Sequence, residues 1–295
     1  MRTVFIFSFQ GANAVTATLI ILGIVVVTAL AFDFTNGFHD TANAMATSTA
    51  TGAVKPFTAV AISAVLNLVG AFLSVNVAAT VAKGIVNLDS YDLSGAAADT
   101  DGQALLMVVF TGLIGGIIWN LITWWKGLPS SSSHALIGGL IGAALAAAGM
   151  NFDVVIWSEP AEQIWRSAGV LWKVIVPMVT SPVLGFTAGF LMMGVLFFGI
   201  SMMARSGGVL ARIARPRWVN AFFGKSQIVS AAGMGFAHGM NDAQKTMGIV
   251  ALTLVSAQSV GTLDNLPGWL AFLHPSEAAL AEGDIDLWIK ITCAV

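Results

Sequence analysis

The residues best suited to chemistry lie in two short stretches that are similar to each other. The first covers residues 36–45 and reads NGFHDTANAM, and the second covers residues 236–245 and reads FAHGMNDAQK. They align when Asp40 is set on Asp242. Each lies within an apolar run long enough to cross a bilayer, where a carboxylate is costly and therefore indicates function. Two such stretches in matching places predict an internal duplication of the kind found in secondary transporters.

The two aspartates are candidates for binding a cation or accepting a proton. Lys245 lies three residues after Asp242 on the same helical face, whereas Asp40 has no lysine or arginine near it in sequence. Asn43 follows Asp40 at the same spacing, so both would face one pocket in a helix. Oxygen ligands of this kind suit a small hard cation. The sequence favours a functional role for both carboxylates, with a buried Asp242–Lys245 pair as the alternative.

Further polar side chains accompany the aspartates. Asn241 and Gln244 supply amides in the second stretch, and Thr41 supplies a hydroxyl in the first. The small residues of the first stretch predict a broken or closely packed helix, in which unwound backbone would offer carbonyls to a cation and N–H groups to an anion. His39 and His238 lie at different offsets from the aspartates, so each remains open between a proton relay and a polar packing residue.

A third polar element follows a Trp-rich helix end and opens a new helix. Residues 127–136 read GLPSSSSHAL, and Pro129 prevents the preceding helix from continuing. Serine is a preferred N-cap residue, and the backbone N–H groups of a helix N-terminus bind oxyanions. One cap needs one serine, so the surplus hydroxyls and the histidine favour an anion site over capping alone. The candidate residues are Ser131, Ser132, Ser133 and His134.

The elements that must position these residues are membrane helices. Hydrophobic residues make up 57% of the 295 residues and charged residues only 9%, against about 25% charged in soluble domains. The net charge of −2 gives no sign of a nucleic-acid partner, and the single cysteine excludes an intrachain disulfide framework. Apolar runs predict spanning helices at roughly 14–50, 57–82, 104–125, 134–150, 168–200 and 228–257, with another beginning near Leu287.

The charges between these helices predict the topology. The segment 201–227 carries five basic residues and no acidic residue, so the positive-inside rule places it in the cytoplasm. The segments 83–103 and 258–286 are acidic and fit the outside. The two motif segments then run in opposite directions, which predicts an inverted repeat. The chain divides into a transmembrane N-terminal repeat (1–200), a basic cytoplasmic linker (201–227) and the start of an incomplete C-terminal inverted repeat (228–295).

Three motifs together resemble the inorganic phosphate transporter (PiT) family, and most of all its bacterial low-affinity branch. They are residues 37–44, 127–135 and 238–245, which follow one another in the order and at about the spacing of the family's motifs. The resemblance implies an all-α, polytopic protein of the cell inner membrane with inverted-topology repeats and broken or re-entrant helices. It implies a secondary active transporter that imports inorganic phosphate by cation symport, and not an enzyme. The lipid bilayer is then a partner, and a homodimer is left open.

The motifs and the resemblance predict two sets of site residues. The phosphate-binding set is Thr41, Ser131, Ser132, Ser133, His134, Asn241, Gln244 and Lys245, and the coupling set is Asp40, Asn43 and Asp242. The second copy has Lys245 where the first has Asn43, so a cation site built from both copies would be impaired. The difference between Asn43 and Lys245 favours the coupling of phosphate transport to protons, with coupling to sodium as the alternative. No cofactor or resident metal is expected, and a divalent metal bound to phosphate is left open as cargo.

The chain departs from the family pattern near its end. The family has a second Pro/Ser/His helix opening in its C-terminal half, and this sequence has none. The apolar run that begins near Leu287 is too short to span, so we expect a truncated gene product or a fragment that transports poorly or not at all. Two remote alternatives are an anion channel, which would need an open pore, and an intramembrane hydrolase using a serine of 131–133. The hydrolase lacks an evident nucleophile motif and oxyanion hole.

Overall fold

The structure is a computed structural model that describes residues 12–73, 103–161, 167–259, 263–264, 266–276, 279 and 285–294. Its α-helices are α1 (Ala12–Ala50), α2 (Pro56–Leu73), α3 (Gln103–Lys126), α4 (Ser132–Ala147), α5 (Val176–Arg205), α6 (Gly208–Ile213), α7 (Pro216–Ser259) and α8 (Leu287–Ala294). Shorter helical turns lie at Phe152–Val154, Leu171–Ile175 and Gly268–Leu273. The described residues form no β-strand, and an isolated β-bridge joins Glu159 to Ala168, so the all-α class is confirmed.

Four helical stretches in the described part of the chain are long and apolar enough to cross a membrane. They are Leu19–Ala50, Pro56–Leu73, Leu105–Lys126 and Leu171–Arg205. The predicted multi-pass membrane protein is therefore confirmed. The predicted span at 57–82 begins as expected, but its second half lies outside the described residues. The helix α7 is also long, but its polar residues keep it out of this set of four.

The helix α4 is too short to span, so the prediction of a spanning helix at 134–150 is wrong. It has 16 residues, and at 1.5 Å per residue this gives a length of about 24 Å. The hydrocarbon core of a bilayer is about 30 Å thick. The chain then turns through two residues with positive φ, Gly149 and Met150. The helix α4 is therefore a half-helix whose N-terminal end, with the serines, lies within the bundle.

The first polar stretch contains no helix break. The helix α1 is continuous from Ala12 to Ala50, and α7 is continuous through residues 236–245. A Cβ atom added to Gly37 would meet no atom within 4 Å, so this glycine does not mark close packing either. The predicted unwound backbone is not found, because an unbroken helix already uses its carbonyls in internal hydrogen bonds. Side chains must therefore supply the ligands at this level of the bundle.

The helix α1 lies at the centre of the described bundle. It packs on one side against the α3–α4 pair and on the other side against α7, which itself packs against α2. The shared core is apolar, and its side chains are almost fully buried; examples are Phe32 of α1, Leu113 of α3, Leu136 of α4 and Met247 of α7. This packing brings the two polar stretches and the serine-rich helix opening together around α1.

Glycines allow two of the helix pairs to approach closely. A methyl group on Gly239 of α7 would collide with the backbone of Asn67 in α2, and one on Gly70 would collide with the backbone carbonyl of Phe236. Gly139 of α4 faces the backbone of Gly112 in α3 in the same way. Membrane helices use small residues to pack at such short range, where van der Waals contact replaces the hydrophobic effect. The positions of α4 and α7 therefore depend on these glycines.

The central helices α1 and α7 are antiparallel, and two side-chain hydrogen bonds set their register. Asn36 Nδ2 donates to Asp242 Oδ2 over 3.3 Å, and Thr51 Oγ1, just after α1, donates to Gln227 Oε1 over 2.6 Å. Between these bonds the first segment advances by 15 residues (51 − 36) while α7 goes back by 15 (242 − 227). The two similar stretches therefore run in opposite directions, while their origin as an inverted repeat stays a prediction.

The helix α5 differs from the other long helices because none of its residues is buried. Large apolar side chains such as Phe186, Phe190 and Phe197 are exposed along it, as suits a surface in contact with lipid. The predicted linker 201–227 is largely helical, since it contains the end of α5, all of α6 and the start of α7. The division of the chain at this linker stays a prediction.

Candidate functional site

The serine-rich segment is held at the start of α4 by local contacts. Gly127 has φ of 65°, a left-handed conformation that ends α3 and that glycine adopts without strain. Trp119 Nε1 donates to Ser130 Oγ over 2.9 Å, which ties the loop back to α3. Ser131 is the N-cap, and its Oγ accepts from the backbone N–H of His134 over 3.4 Å. Ser132 is then free to point into the bundle from the first turn of α4.

Ser132 joins α4 to the acidic stretch of α1. Its side chain is 1% exposed, and its Oγ donates to Asp40 Oδ2 over 2.6 Å. The same Oγ contacts Asn36 Oδ1, and Asn36 lies one helical turn before Asp40. A charge-assisted hydrogen bond of this kind is stronger than a bond between neutral groups. The first carboxylate is therefore anchored to the N-terminal turn of the half-helix.

Three side chains surround the second carboxylate. His238 Nδ1 lies 2.8 Å from Asp242 Oδ2, one turn earlier on α7. Lys245 Nζ forms an ion pair with Asp242 Oδ1, and Asn36 Nδ2 donates to Asp242 from α1. Lys245 Nζ also donates to Ser133 Oγ of α4. The two aspartates, Asn36, two serines and one lysine thus form a continuous polar network linking α1, α4 and α7.

His39 belongs to the edge of this network. It is 6% exposed, and its two ring nitrogens contact Asp40 Oδ1 at 3.1 Å and Thr123 Oγ1 at 3.3 Å. Thr123 lies on α3, so the imidazole joins α1 to α3 beside the first carboxylate. The geometry gives both histidines a place at an aspartate, His39 at Asp40 and His238 at Asp242. Each therefore holds its aspartate in position.

Five of the predicted site residues lie in this network. Those in the network are Asp40, Ser132, Ser133, Asp242 and Lys245. Asn241 is exposed and its Nδ2 donates to the carbonyl of Ala237 in its own helix. Thr41 donates likewise to the carbonyl of Gly37. Ser131 serves as the cap, His134 is exposed, Gln244 is fully buried on α7, and the side chain of Asn43 lies outside the described residues.

Sequence reasoning missed Asn36, which contacts both halves of the network. Its Oδ1 meets Ser132 and its Nδ2 meets Asp242, although it is only 3% exposed. The signal was present in the spacing, since Asn36 precedes Asp40 by four residues, as His238 precedes Asp242. A helix break near Gly37 would have separated Asn36 from Asp40. In the unbroken α1, residues four apart lie on the same face, so the two side chains point into the same network.

Asp40, His238 and Asp242 bring three groups suited to a cation close to one another. One ligand atom from each lies within 4.8 Å of the other two. Carboxylate oxygens bind hard cations, and an imidazole nitrogen adds affinity for transition metals. With the hydroxyls of Ser132 and Ser133 at the end of a half-helix nearby, the site holds groups suited to a cation and groups suited to an oxyanion.

The fold and the site define a class of protein. Helices of spanning length enclose carboxylates, amides and a lysine, and a half-helix directs hydroxyls at them, which is typical of secondary transporters. The family model described as the phosphate transporter family matches residues 36–295. The chain belongs to this family, which comprises transporters and not enzymes. The resemblance drawn from the three motifs is confirmed.

Several bacterial phosphate transporters are similar in sequence to most of this chain. A probable low-affinity inorganic phosphate transporter of Mycobacterium bovis is 46% identical over 277 residues, covering 94% of this chain and 54% of the relative. That of Bacillus subtilis is 39% identical, covering 86% of this chain and 66% of the relative. The low-affinity inorganic phosphate transporter PitB of Escherichia coli is 34% identical, covering 88% and 50%. The chain thus spans about half the length of the first and third of these relatives.

A solved structure supports the fold independently. The structure described as the sodium-dependent phosphate transporter matches with a TM-score of 0.65 at 20% identity. The match covers 93% of this chain and 73% of the other. At this identity the likeness concerns the arrangement of the helices, and it agrees with the multi-pass, all-α class.

Proposed function

We propose that this chain carries the substrate site of a secondary active transporter that imports inorganic phosphate together with a cation. The observation that carries the proposal is the network in which Ser132 and Ser133, at the start of α4, contact Asp40 and Lys245. Phosphate binds at the serine hydroxyls and the backbone N–H groups of this helix end. Lys245 offers its charge, and the site is exposed to each side in turn by alternating access.

The charge of the network explains why a cation accompanies the anion. Asp40 and Asp242 carry two negative charges against the single positive charge of Lys245, so the network is net negative when its histidines are neutral. An anion that enters a net-negative site at membrane depth meets repulsion that low dielectric strengthens. A cation bound at Asp40 removes this repulsion, so phosphate and cation bind together.

A proton is the favoured coupling ion, and sodium is the alternative. Lys245 already forms an ion pair with Asp242, which leaves less negative charge for a metal cation in the second stretch. The first carboxylate accepts hydrogen bonds and lies beside His39, so a proton can be held there without a full coordination shell. Phosphate uptake that depends on sodium at fixed pH would count against this preference.

The test is the binding and uptake of radiolabelled phosphate, with sodium, pH and divalent metal varied separately. We expect Ser132→Ala to weaken phosphate binding by about tenfold, because the change removes a hydroxyl that orders the site. Ser206→Ala is the matched control, since Ser206 lies just after the end of α5 and its hydroxyl donates to the carbonyl of Met202 in that helix. A divalent metal requirement in the uptake would identify a metal–phosphate complex as the cargo. Equal binding by wild type and Ser132→Ala would contradict the proposed site.

A further inference from the structure

A fully buried amide on α3, that of Asn120, lies outside the network described above. Its residue is 0% exposed, and neither Nδ2 nor Oδ1 of its side chain has a hydrogen-bond partner among the described residues. The backbone carbonyl of the same residue is bonded, since it accepts from Thr123 Oγ1 over 3.1 Å. A buried polar group without a partner costs free energy, so this side chain lowers the stability of the protein in the state observed.

The packing of α3 against α4 places Asn120 at the level of Ser132. The two helices lie side by side and are joined by the short turn 127–131, so they are antiparallel. A methyl group on Gly116 of α3 would lie 3.5 Å from the Cα atom of Leu136 in α4. One turn further along α3 corresponds to one turn back along α4. That step leads from Gly116 to Asn120 and from Leu136 to Ser132.

The contacts between α3 and α1 give the level of Asn36. A methyl group on Gly116 would lie 3.1 Å from the ring of Phe32, and Thr123 Oγ1 lies 3.3 Å from His39 Nε2. Between these two contacts each helix advances by seven residues (123 − 116 and 39 − 32), so the helices are parallel. Four residues beyond the first contact, α1 carries Asn36 and α3 carries the unpartnered amide. The amide is therefore level with two members of the network.

Those two members share a single hydrogen atom with the first carboxylate. Ser132 Oγ contacts both Asn36 Oδ1 and Asp40 Oδ2, and a serine hydroxyl donates one hydrogen bond. The other end of the Asn36 amide is already in use, because its Nδ2 donates to Asp242. Asn36 is 3% exposed, so little water reaches its oxygen. When an anion takes the hydrogen atom of Ser132, Asn36 Oδ1 therefore needs another donor.

We infer that Asn120 is a positioning residue whose amide bonds to Asn36 when phosphate engages Ser132. The inference rests on the proposed function. In the free site Ser132 contacts the side-chain oxygen of Asn36, and the Asn120 amide has no partner. In the occupied site the Ser132 hydroxyl turns to the anion, and Asn120 Nδ2 donates to Asn36 Oδ1 instead. Binding thereby removes the cost of the unpartnered amide, so Asn120 strengthens the affinity for phosphate and keeps Asn36 on Asp242.

The experiment measures the thermal stability and the dissociation constant for phosphate of the purified chain in lipid nanodiscs. Asn120→Leu keeps a branched side chain and removes both polar atoms. Without phosphate we expect the Tm to rise by about 2–5 °C, because an apolar group replaces an unsatisfied amide. We expect phosphate binding to weaken by about fivefold, because the hydrogen bond to Asn36 cannot form.

The opposite signs of these two effects distinguish the inference from a structural role. A lower Tm, or failure of the Asn120→Leu variant to fold, would show that the amide already has a partner in the free protein. Unchanged phosphate binding would show that the amide gains no partner when the site is occupied. Each of these results would overturn the inference.

Thr253→Val is the matched control, because it removes a buried polar group that does have a partner. Thr253 is 1% exposed, and its hydroxyl donates to the carbonyl of Ile249 within α7 over 2.6 Å. We expect this variant to bind phosphate as wild type does and to show no rise in Tm. A rise as large as that of Asn120→Leu would show that any apolar replacement stabilises the bundle, which would overturn the argument from the unpartnered amide.

A second measurement tests the pairing without phosphate. Ser132→Ala removes the hydroxyl that contacts Asn36 Oδ1, so the Asn120 amide is expected to bond to Asn36 even in the free protein. The rise in Tm caused by Asn120→Leu should therefore disappear in the Ser132→Ala background. An equal rise in both backgrounds would refute the pairing. Failure of wild type to bind phosphate would instead refute the proposed function, and this stability cycle would then decide the pairing by itself.

Discussion

The first and second polar stretches place an aspartate at matching positions but give it different partners. Asp40 accepts a hydrogen bond from Ser132 of the half-helix α4 and lies beside His39. Asp242 forms an ion pair with Lys245 of its own helix and is also held by Asn36. The two similar stretches therefore surround their aspartates with different partners. The first carboxylate is suited to an exchangeable cation, and the second is already neutralised by the chain itself.

The glycines at matching positions differ as much as the aspartates. Gly239 of α7 lies against the backbone of Asn67, whereas Gly37 of α1 faces open space. The second stretch is thus fixed against α2 by close helix packing, and the first is not. The helices α2 and α7 are therefore closely packed at Gly239, whereas α1 has open space beside Gly37.

The largest expected effect comes from these glycines. Gly239→Ala forces a methyl group into a backbone that cannot yield, and we expect a loss of about 3 kcal/mol in the free energy of unfolding. Gly37→Ala is the matched control, and it is expected to be neutral or to stabilise α1 by up to about 1 kcal/mol, because alanine is the better helix former. Denaturant unfolding in mixed micelles measures both. Similar losses at the two positions would contradict the difference in packing.

The next effect concerns the ion pair of the second stretch. Asp242→Asn leaves the ammonium group of Lys245 without its carboxylate, and we expect a loss of about 2–3 kcal/mol in stability, since one partner of a buried pair is left uncompensated. The double variant Asp242→Asn with Lys245→Met should recover most of this loss. The same unfolding measurement applies. No recovery in the double variant would mean that Asp242 stabilises the fold through its other contacts instead.

The smallest effect distinguishes the residues just before each aspartate. His39 is buried and touches both Asp40 and Thr123, so His39→Ala is expected to cost about 1–2 kcal/mol. Asn241 is exposed and bonds to its own helix, so Asn241→Ala should change stability by less than about 0.5 kcal/mol. Thermal unfolding of the two variants side by side checks the order. A larger cost at Asn241 would place its side chain in the bundle.

Part of the candidate site could be predicted from the sequence because charge at membrane depth is costly. That argument alone pointed to Asp40 and Asp242, and the surplus of serines pointed to Ser132 and Ser133. It could not decide which way a neutral amide faces. Asn36 and Asn241 are the same residue type in the two stretches, yet one is buried in the network and the other is exposed. The packing of α7 against α2 determines which face of α7 is buried, and the local sequence does not show which face that is.

The fold, too, could be predicted only in part from the sequence. Apolar runs predicted α3 within a residue or two, because its whole length is apolar and its end carries Lys126 and Gly127. They placed the end of α4 near residue 150, close to its end at Ala147, but they did not show that this helix of 16 residues is too short to span. They also did not predict the unbroken α1, because small residues lower helix propensity only slightly and tertiary packing decides the outcome.

The central claim is that the two aspartates do different work, with Asp40 coupling the cation and Asp242 neutralised by Lys245. The most direct test measures phosphate binding as pH and sodium are varied, in Asp40→Asn and in the double variant Asp242→Asn with Lys245→Met. We predict that Asp40→Asn abolishes the dependence of phosphate binding on the coupling cation. The double variant, which removes one charge of each sign, should retain that dependence although its affinity changes. Equal loss of the cation dependence in both proteins would contradict the claim.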